Sequence, residues 1–264
     1  MKRTLASAAA LLGILTGAAF AHDTWIISDP AVVPSGRMLF VRMSNGEKFP
    51  TADTAPAAAR IASAQWRIGE ERGTITDFKQ DEKELVAGGR ATTDGIAVVA
   101  IEFNPKELQL TAEQVSEYLE EIAAPASVRR AYEQDGVAAG WQETFTKHAK
   151  TYLRIGSGGD ASGALGPVGF SIDFLPDSDP TALKVGDTLA MKVIRGGDEL
   201  ESSPVFVVCG NTGETTMPRT NKAGMMLVKI TSPGWWMVRT TQLRRQSAGK
   251  WESDFTTMTF HVEK

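Results

Sequence analysis

The sequence predicts a mostly β protein: two immunoglobulin-like or transthyretin-like sandwich domains, with a helical insertion in the first. Three observations predict it. Short runs of alternating apolar residues recur along the chain, most regularly over 168–262, where Gly or Pro turns separate most of them. The segment 96–103 is a nearly continuous apolar run, as a strand buried on both faces requires. Finally, the spacing Asp29-Pro30, Gly36, Leu39, Val41, Arg42, Gly46 returns 150 residues later as Asp179-Pro180, Gly186, Leu189, Met191, Lys192, Gly196. Each copy reads as a turn, an alternating strand and a glycine turn, so the repeat suggests two similar domains.

Taken in chain order, residues 1–21 read as a secretory signal peptide. Lys2 and Arg3 supply the positive end, 5–20 an uncharged stretch rich in alanine, and Ala19-Phe20-Ala21 the small-x-small cleavage pattern. That stretch is too short and alanine-rich for a membrane span, and no second one follows, so the mature chain is expected to be periplasmic and without a span. The first domain, 22–156, is expected to hold strands at 64–68, 73–78, 96–103 and 148–155. Its helical insertion covers about 105–147. Thr111 with Gln114 forms a capping-box pattern, Val115, Tyr118, Leu119 and Ile122 recur at helical spacing, and 126–133 and 139–146 read as further helical pieces. The Gly- and Ser-rich stretch within 157–167 reads as a flexible linker. The second domain, 168–264, is expected to carry strands at 168–174, 188–194, 205–208, 225–230, 235–241 and 256–262.

Composition narrows the function. The signal removes two of the 28 basic residues and none of the 32 acidic ones, so the remainder is more acidic than the whole chain's net −4. An acidic surface excludes a nucleic-acid partner. Cys209 is the one cysteine, so no intramolecular disulfide forms and apolar cores must hold the fold. Phosphate loops, nucleophile elbows, Cys pairs and the His-Glu-x-x-His helix are all absent, so the chain reads as non-enzymatic.

Three histidines remain: His22, His148 and His261. Cleavage after Ala21 makes His22 the mature N-terminus, where its α-amine and ring nitrogen can chelate one metal together. A further imidazole would complete a nitrogen set suited to copper. His22, Asp23 and His148 are therefore the candidate metal ligands. His148 shares a polar-looking face with Lys150, Tyr152 and Arg154, which equally suits a solvent-facing or interdomain position. His261 alternates with Met258, Phe260 and Val262 and is expected to point outward with Thr259 and Glu263. Arg244-Arg245 with Lys250 and Trp251 suggest a loop that meets an anion.

Several segments resemble the exported bacterial domain of unknown function 4198 family, which is related to the periplasmic part of nickel-transport accessory subunits. They are His22-Asp23-Thr24-Trp25, Asn45-Gly46-Glu47-Lys48-Phe49-Pro50, the helix around Val115-Ser116-Glu117-Tyr118-Leu119, Lys147 to Gly156, Asp179 to Leu189, Pro233-Gly234-Trp235-Trp236 and Trp251-Glu252-Ser253. The chain departs from the pattern at Thr241-Gln242-Leu243, in the strand where members of the family it resembles often carry a histidine. The resemblance implies a periplasmic, β-rich protein tied by association to metal uptake or handling; with the His22 reading, the chain is expected to bind nickel, cobalt or copper and to work with a membrane transporter component. The alternative is a metal-free adhesion or carbohydrate-recognition module in which Trp66, Trp141 or Trp251 stacks on a ligand.

Overall fold

The computed structural model describes residues 22–90 and 93–263, so the expected signal peptide at 1–21 lies outside the described residues. The strand Gly95–Phe103 organises them. Its even residues Ile96, Val98 and Ala100 enter one apolar core, and its odd residues Ala97, Val99 and Ile101 enter another. A strand with a core on each side cannot alternate in polarity, which is why the run is apolar throughout.

Gly95–Phe103 belongs to a ten-stranded sheet. Along its path come Thr215–Thr216, Phe206–Cys209, Gly234–Ser247, Lys250–Val262, Gln142–Ile155, Gly95–Phe103, Ile61–Ile68 and Glu71–Thr74. A four-stranded sheet built around Met38–Gly46 closes the first core. Another, built around Thr188–Arg195, closes the second. The protein is thus two sandwiches sharing one large sheet. Residues 22–156 and 168–264 each supply one small sheet, and both contribute strands to the large one. The join is the parallel pairing of Gln142–Thr151 with Lys250–Thr259.

The internal repeat has a structural counterpart. Met38–Gly46 and Thr188–Arg195 hold equivalent central places in the two small sheets. Leu39 and Val41, like Leu189 and Met191, are fully buried, and Gly36 and Gly186 both precede their strands at positive φ.

The insertion is helical in part. Ala112–Glu121 carries the capping box, with the Gln114 N–H donating to Thr111 Oγ1 (3.3 Å) and the Thr111 N–H to Gln114 Oε1 (2.9 Å). Ala126–Asp135 follows. Val115, Tyr118, Leu119 and Ile122 cover Trp141, Phe145, Trp251 and Phe255 at one end of the sheet. Residues 139–146 are not helical. Only Val137–Ala139 forms a 3-10 turn, and the strand Gln142–Ile155 starts there because Trp141, Glu143 and Phe145 bury at a period of two. The segment 73–78 is likewise split between Glu71–Thr74 and Phe78–Asp81, which lie in different sheets. Nor is the Gly-rich stretch a free tether. Ser162–Leu165 forms a helical turn with Ala164 fully buried, and the Arg67 guanidinium donates to the carbonyls of Ala164, Gly166 and Pro167.

Candidate metal centre at the first strand

The first strand, Asp23–Ser28, pairs with Met38–Gly46 and lies across the face of Lys250–Val262 that sequence periodicity left to solvent. Thr257 Oγ1 donates to the Thr24 carbonyl (2.6 Å) and Thr259 Oγ1 to that of Ile26, so Thr259 is fully buried rather than outward. Trp25 is fully buried against Phe49, edge to face at 5.4 Å. Gly46 is required there: a Cβ would lie 2.6 Å from the Trp25 ring and 2.7 Å from the Thr51 carbonyl. The turn that follows is held by the Glu47 N–H donating to Asp53 Oδ2 (3.0 Å) and by Thr24 Oγ1 donating to Asn45 Oδ1 (2.6 Å).

This turn brings Glu47 to His22, with Oε1 3.1 Å from the imidazole Nε2. A carboxylate on Nε2 fixes the proton there and leaves Nδ1 with its lone pair. Nδ1 is the ring nitrogen that can close a chelate with the residue's own α-amine. Behind His22, the half-buried Lys147 ammonium donates to the His22 carbonyl (2.5 Å) and to Thr24 Oγ1 (3.3 Å). Burial lowers the Lys147 pKa to about 8. Asp23 opposes the shift, while Arg60 and Lys106 add to it.

The three candidate ligands lie close together, since His22, Asp23 and His148 line one narrow cleft. Their side chains do not converge in this conformation. Asp23 Oδ2 sits 3.0 Å from Arg239 Nε. Burial raises the Asp23 pKa, and Arg239, Lys147 and His22 only partly offset that. His148 is neither solvent-facing nor beside the His22 ring: it is buried between the two halves of the chain. Its Nε2 lies 2.9 Å from Ser171 Oγ, its ring stacks on Phe170 at 4.8 Å, and Nδ1 faces Glu102 Oε2 at 3.6 Å. Among the described residues no three His, Cys, Asp or Glu side chains group to hold a metal ion. Asp23 and His148 are committed to other partners, so of the three only His22 remains a candidate ligand.

Ser171 and His148 superficially resemble a nucleophile and its base. Burial disfavours the Asp254 carboxylate, but nearby His148, the hydrogen bond from Ser171 and the Arg244 guanidinium outweigh it and lower the Asp254 pKa. Ser171 therefore donates its proton to Asp254 Oδ1 (2.7 Å), and His148 Nε2 must be the donor to Ser171. No lone pair is left on Nε2 to activate the hydroxyl.

Other expectations change with burial. Trp66, Trp141 and Trp251 are 7, 3 and 2 % exposed, and the last two stack on each other at 4.5 Å, so none offers a face to a carbohydrate. Arg244 and Arg245 lie in the strand Gly234–Ser247, not in a loop. Arg244 pairs with Asp254 and Glu252, and Arg245 forks onto Asp135 (2.7–2.9 Å), so both charges are already matched. His261 is half-buried against Trp235 at 5.3 Å, and burial lowers its pKa. Gln242 donates to Ser203 Oγ (2.8 Å). Glu47 and Lys147 were not singled out from sequence, although both fall inside the segments that carry the family resemblance.

A family model described as a domain of unknown function (DUF4198) matches residues 19–243. The chain belongs to the DUF4198 family. No curated protein matches it. Among solved structures, the DUF4198 chain is similar to a 1.5-MDa bacterial ice-binding adhesin at 12% identity, covering 92% of this chain and 64% of that one, with a TM-score of 0.25. It is also similar to the Escherichia coli adhesin FdeC at 13% identity, covering 91% and 64%, TM-score 0.25. A third is the D0-D1 domain of Intimin, at 14% identity, covering 91% and 98%, TM-score 0.20. The chain thus spans about 64% of the first two structures it matches. No helix among the described residues is long and apolar enough to cross a membrane.

Proposed function

We propose that this protein is an exported, non-enzymatic transition-metal-binding protein that takes up nickel, cobalt or copper at His22 and serves a membrane transporter component in the periplasm. One observation carries the reading: Glu47 holds Nε2 of His22 at 3.1 Å and leaves Nδ1 free. Cleavage after Ala21 would add the α-amine on the same residue. Amine and Nδ1 together form a bidentate nitrogen donor suited to Cu(II) or Ni(II), and a carboxylate on the remote nitrogen raises ligand basicity and fixes ring orientation. Asp23 and His148 then act indirectly. Asp23 anchors the first strand on Arg239, and His148 ties the long strand to Ser171.

The test is a calorimetric titration of Cu(II) and Ni(II) into three proteins: one starting at His22, one with a single residue added before it, and His22→Ala. The native terminus is expected to bind below about 1 µM, and the other two roughly 100-fold more weakly, about 2.7 kcal/mol. Equal affinity in all three would overturn the reading.

A further inference from the structure

We propose that the cleft beside the first strand binds a small organic carboxylate, gripped by Arg60, Lys106 and Lys147. The cleft has a volume of about 420 Å³, within the usual range for small-molecule sites. Arg60 closes the 3-10 turn Ala58–Arg60 just before the strand Ile61–Ile68, Lys106 lies on Lys106–Gln109 and Lys147 on Gln142–Ile155, so three separate elements deliver cations to one opening. Among the described residues, none of the three has a carboxylate within ion-pairing distance, in contrast to Arg42, Lys150, Arg239, Arg244 and Arg245. Their own contacts are weaker neutralisers. Arg60 donates to the Asn104 carbonyl (2.7 Å) and lies over the Phe145 ring at 5.4 Å, and Lys147 reaches a carbonyl and a hydroxyl.

Glu107 is the one acid lining the cleft, so positive charge is in excess there even though the chain is acidic overall. Asp23 is the strongest charge acting on Lys147 and attracts it, as Glu121 does, while Arg60 and Lys106 repel it. An anion seated among them relieves that repulsion and gives Arg60 a forked partner. Part of the remaining wall is polar, from His22, Thr24, Asn45 and Thr54, and part is apolar: Phe103, Phe145, Leu108 and Pro56 suit a carbon skeleton, which inorganic phosphate lacks. His22 lines the same cleft, so a carboxylate held by these cations is a second ligand chemistry adjoining the proposed metal centre.

The experiment titrates citrate and succinate into metal-stripped protein, with inorganic phosphate in a parallel arm. At least one carboxylate is expected to bind with Kd near 100 µM or below and to weaken with added salt. Arg60→Gln/Lys106→Gln is expected to weaken it at least about tenfold, with unfolding and circular dichroism confirming an intact fold. Arg245→Gln, whose charge is already spent on Asp135, is expected to bind as the parent does. No binding of either carboxylate at about 1 mM, equal binding by the double variant, or phosphate matching the carboxylates would each overturn the proposal. Because no metal is present, the outcome is independent of the His22 reading.

Discussion

Lys147 and Lys150 stand three residues apart on one strand and face opposite ways, and they meet opposite fates. Lys150 is fully buried with Asp173, itself 1% exposed, at 2.6 Å, and donates to the Phe174 carbonyl (2.5 Å). Burial opposes its ammonium, but Tyr152 and Asp173 outweigh it and raise the pKa. Lys147 has no carboxylate within ion-pairing distance among the described residues, borders two clefts, and has its pKa lowered. A matched charge closes a core, and an unmatched one at a cleft is available to a ligand. Lys150 therefore reads as part of the seam between the halves, and Lys147 as part of a site.

The largest effect that tests this contrast falls on the seam. Lys150→Met leaves the Asp173 carboxylate buried without a cation, with only the Val168 N–H among the described residues donating to it (3.0 Å), and the expected loss is about 3–5 kcal/mol in urea unfolding. Lys150→Met/Asp173→Leu is expected to recover most of it, because removing both charges removes the unpaired one. A single variant as stable as the parent would break the comparison.

A smaller effect concerns Glu143, a buried carboxylate without a cation. It accepts from Tyr118 Oη and Trp141 Nε1 (both 2.9 Å) and from Ser253. Burial raises its pKa, and the three donors only partly offset this. A raised carboxyl pKa means its contribution to stability is full below the ordinary value near 4.5 and is lost as pH rises through the folded-state value. Tyr118→Phe removes a donor to the charged form, so it should cost about 1–2 kcal/mol at pH 7 and clearly less at pH 4. Equal losses at both pH values would contradict this account.

The smallest effect belongs to Lys147→Met. With no ion-paired carboxylate to leave behind among the described residues, the change in stability should stay within about 1 kcal/mol. A loss approaching that of Lys150→Met would make Lys147 a structural residue and erase the distinction.

Local signals were legible in the sequence, and long-range ones were not. The Thr111–Gln114 box, the apolar run of 96–103 and the paired strands after Gly36 and Gly186 all follow from short-range pattern. The fused sheet depends on parallel pairing between residues 108 positions apart, which no local period encodes. The same pairing converts 142–146 from the helix its alanine-rich flank suggests into strand. Polar appearance misled at His148, Lys150 and Thr259, because each is buried by a segment distant in sequence: Phe170–Ser171, Asp173 and the first strand. At the candidate metal centre, His22 was singled out from the expected cleavage pattern. Its partner Glu47 was not, since that contact depends on Gly46 letting the turn close over Trp25.

The most direct test of the proposed function is the electron spin resonance spectrum of the protein starting at His22, loaded with one equivalent of Cu(II). The account predicts nitrogen coupling from an amine and an imidazole on one residue, lost when a single residue precedes His22 and perturbed by Glu47→Gln. An unchanged spectrum in the extended protein would contradict it.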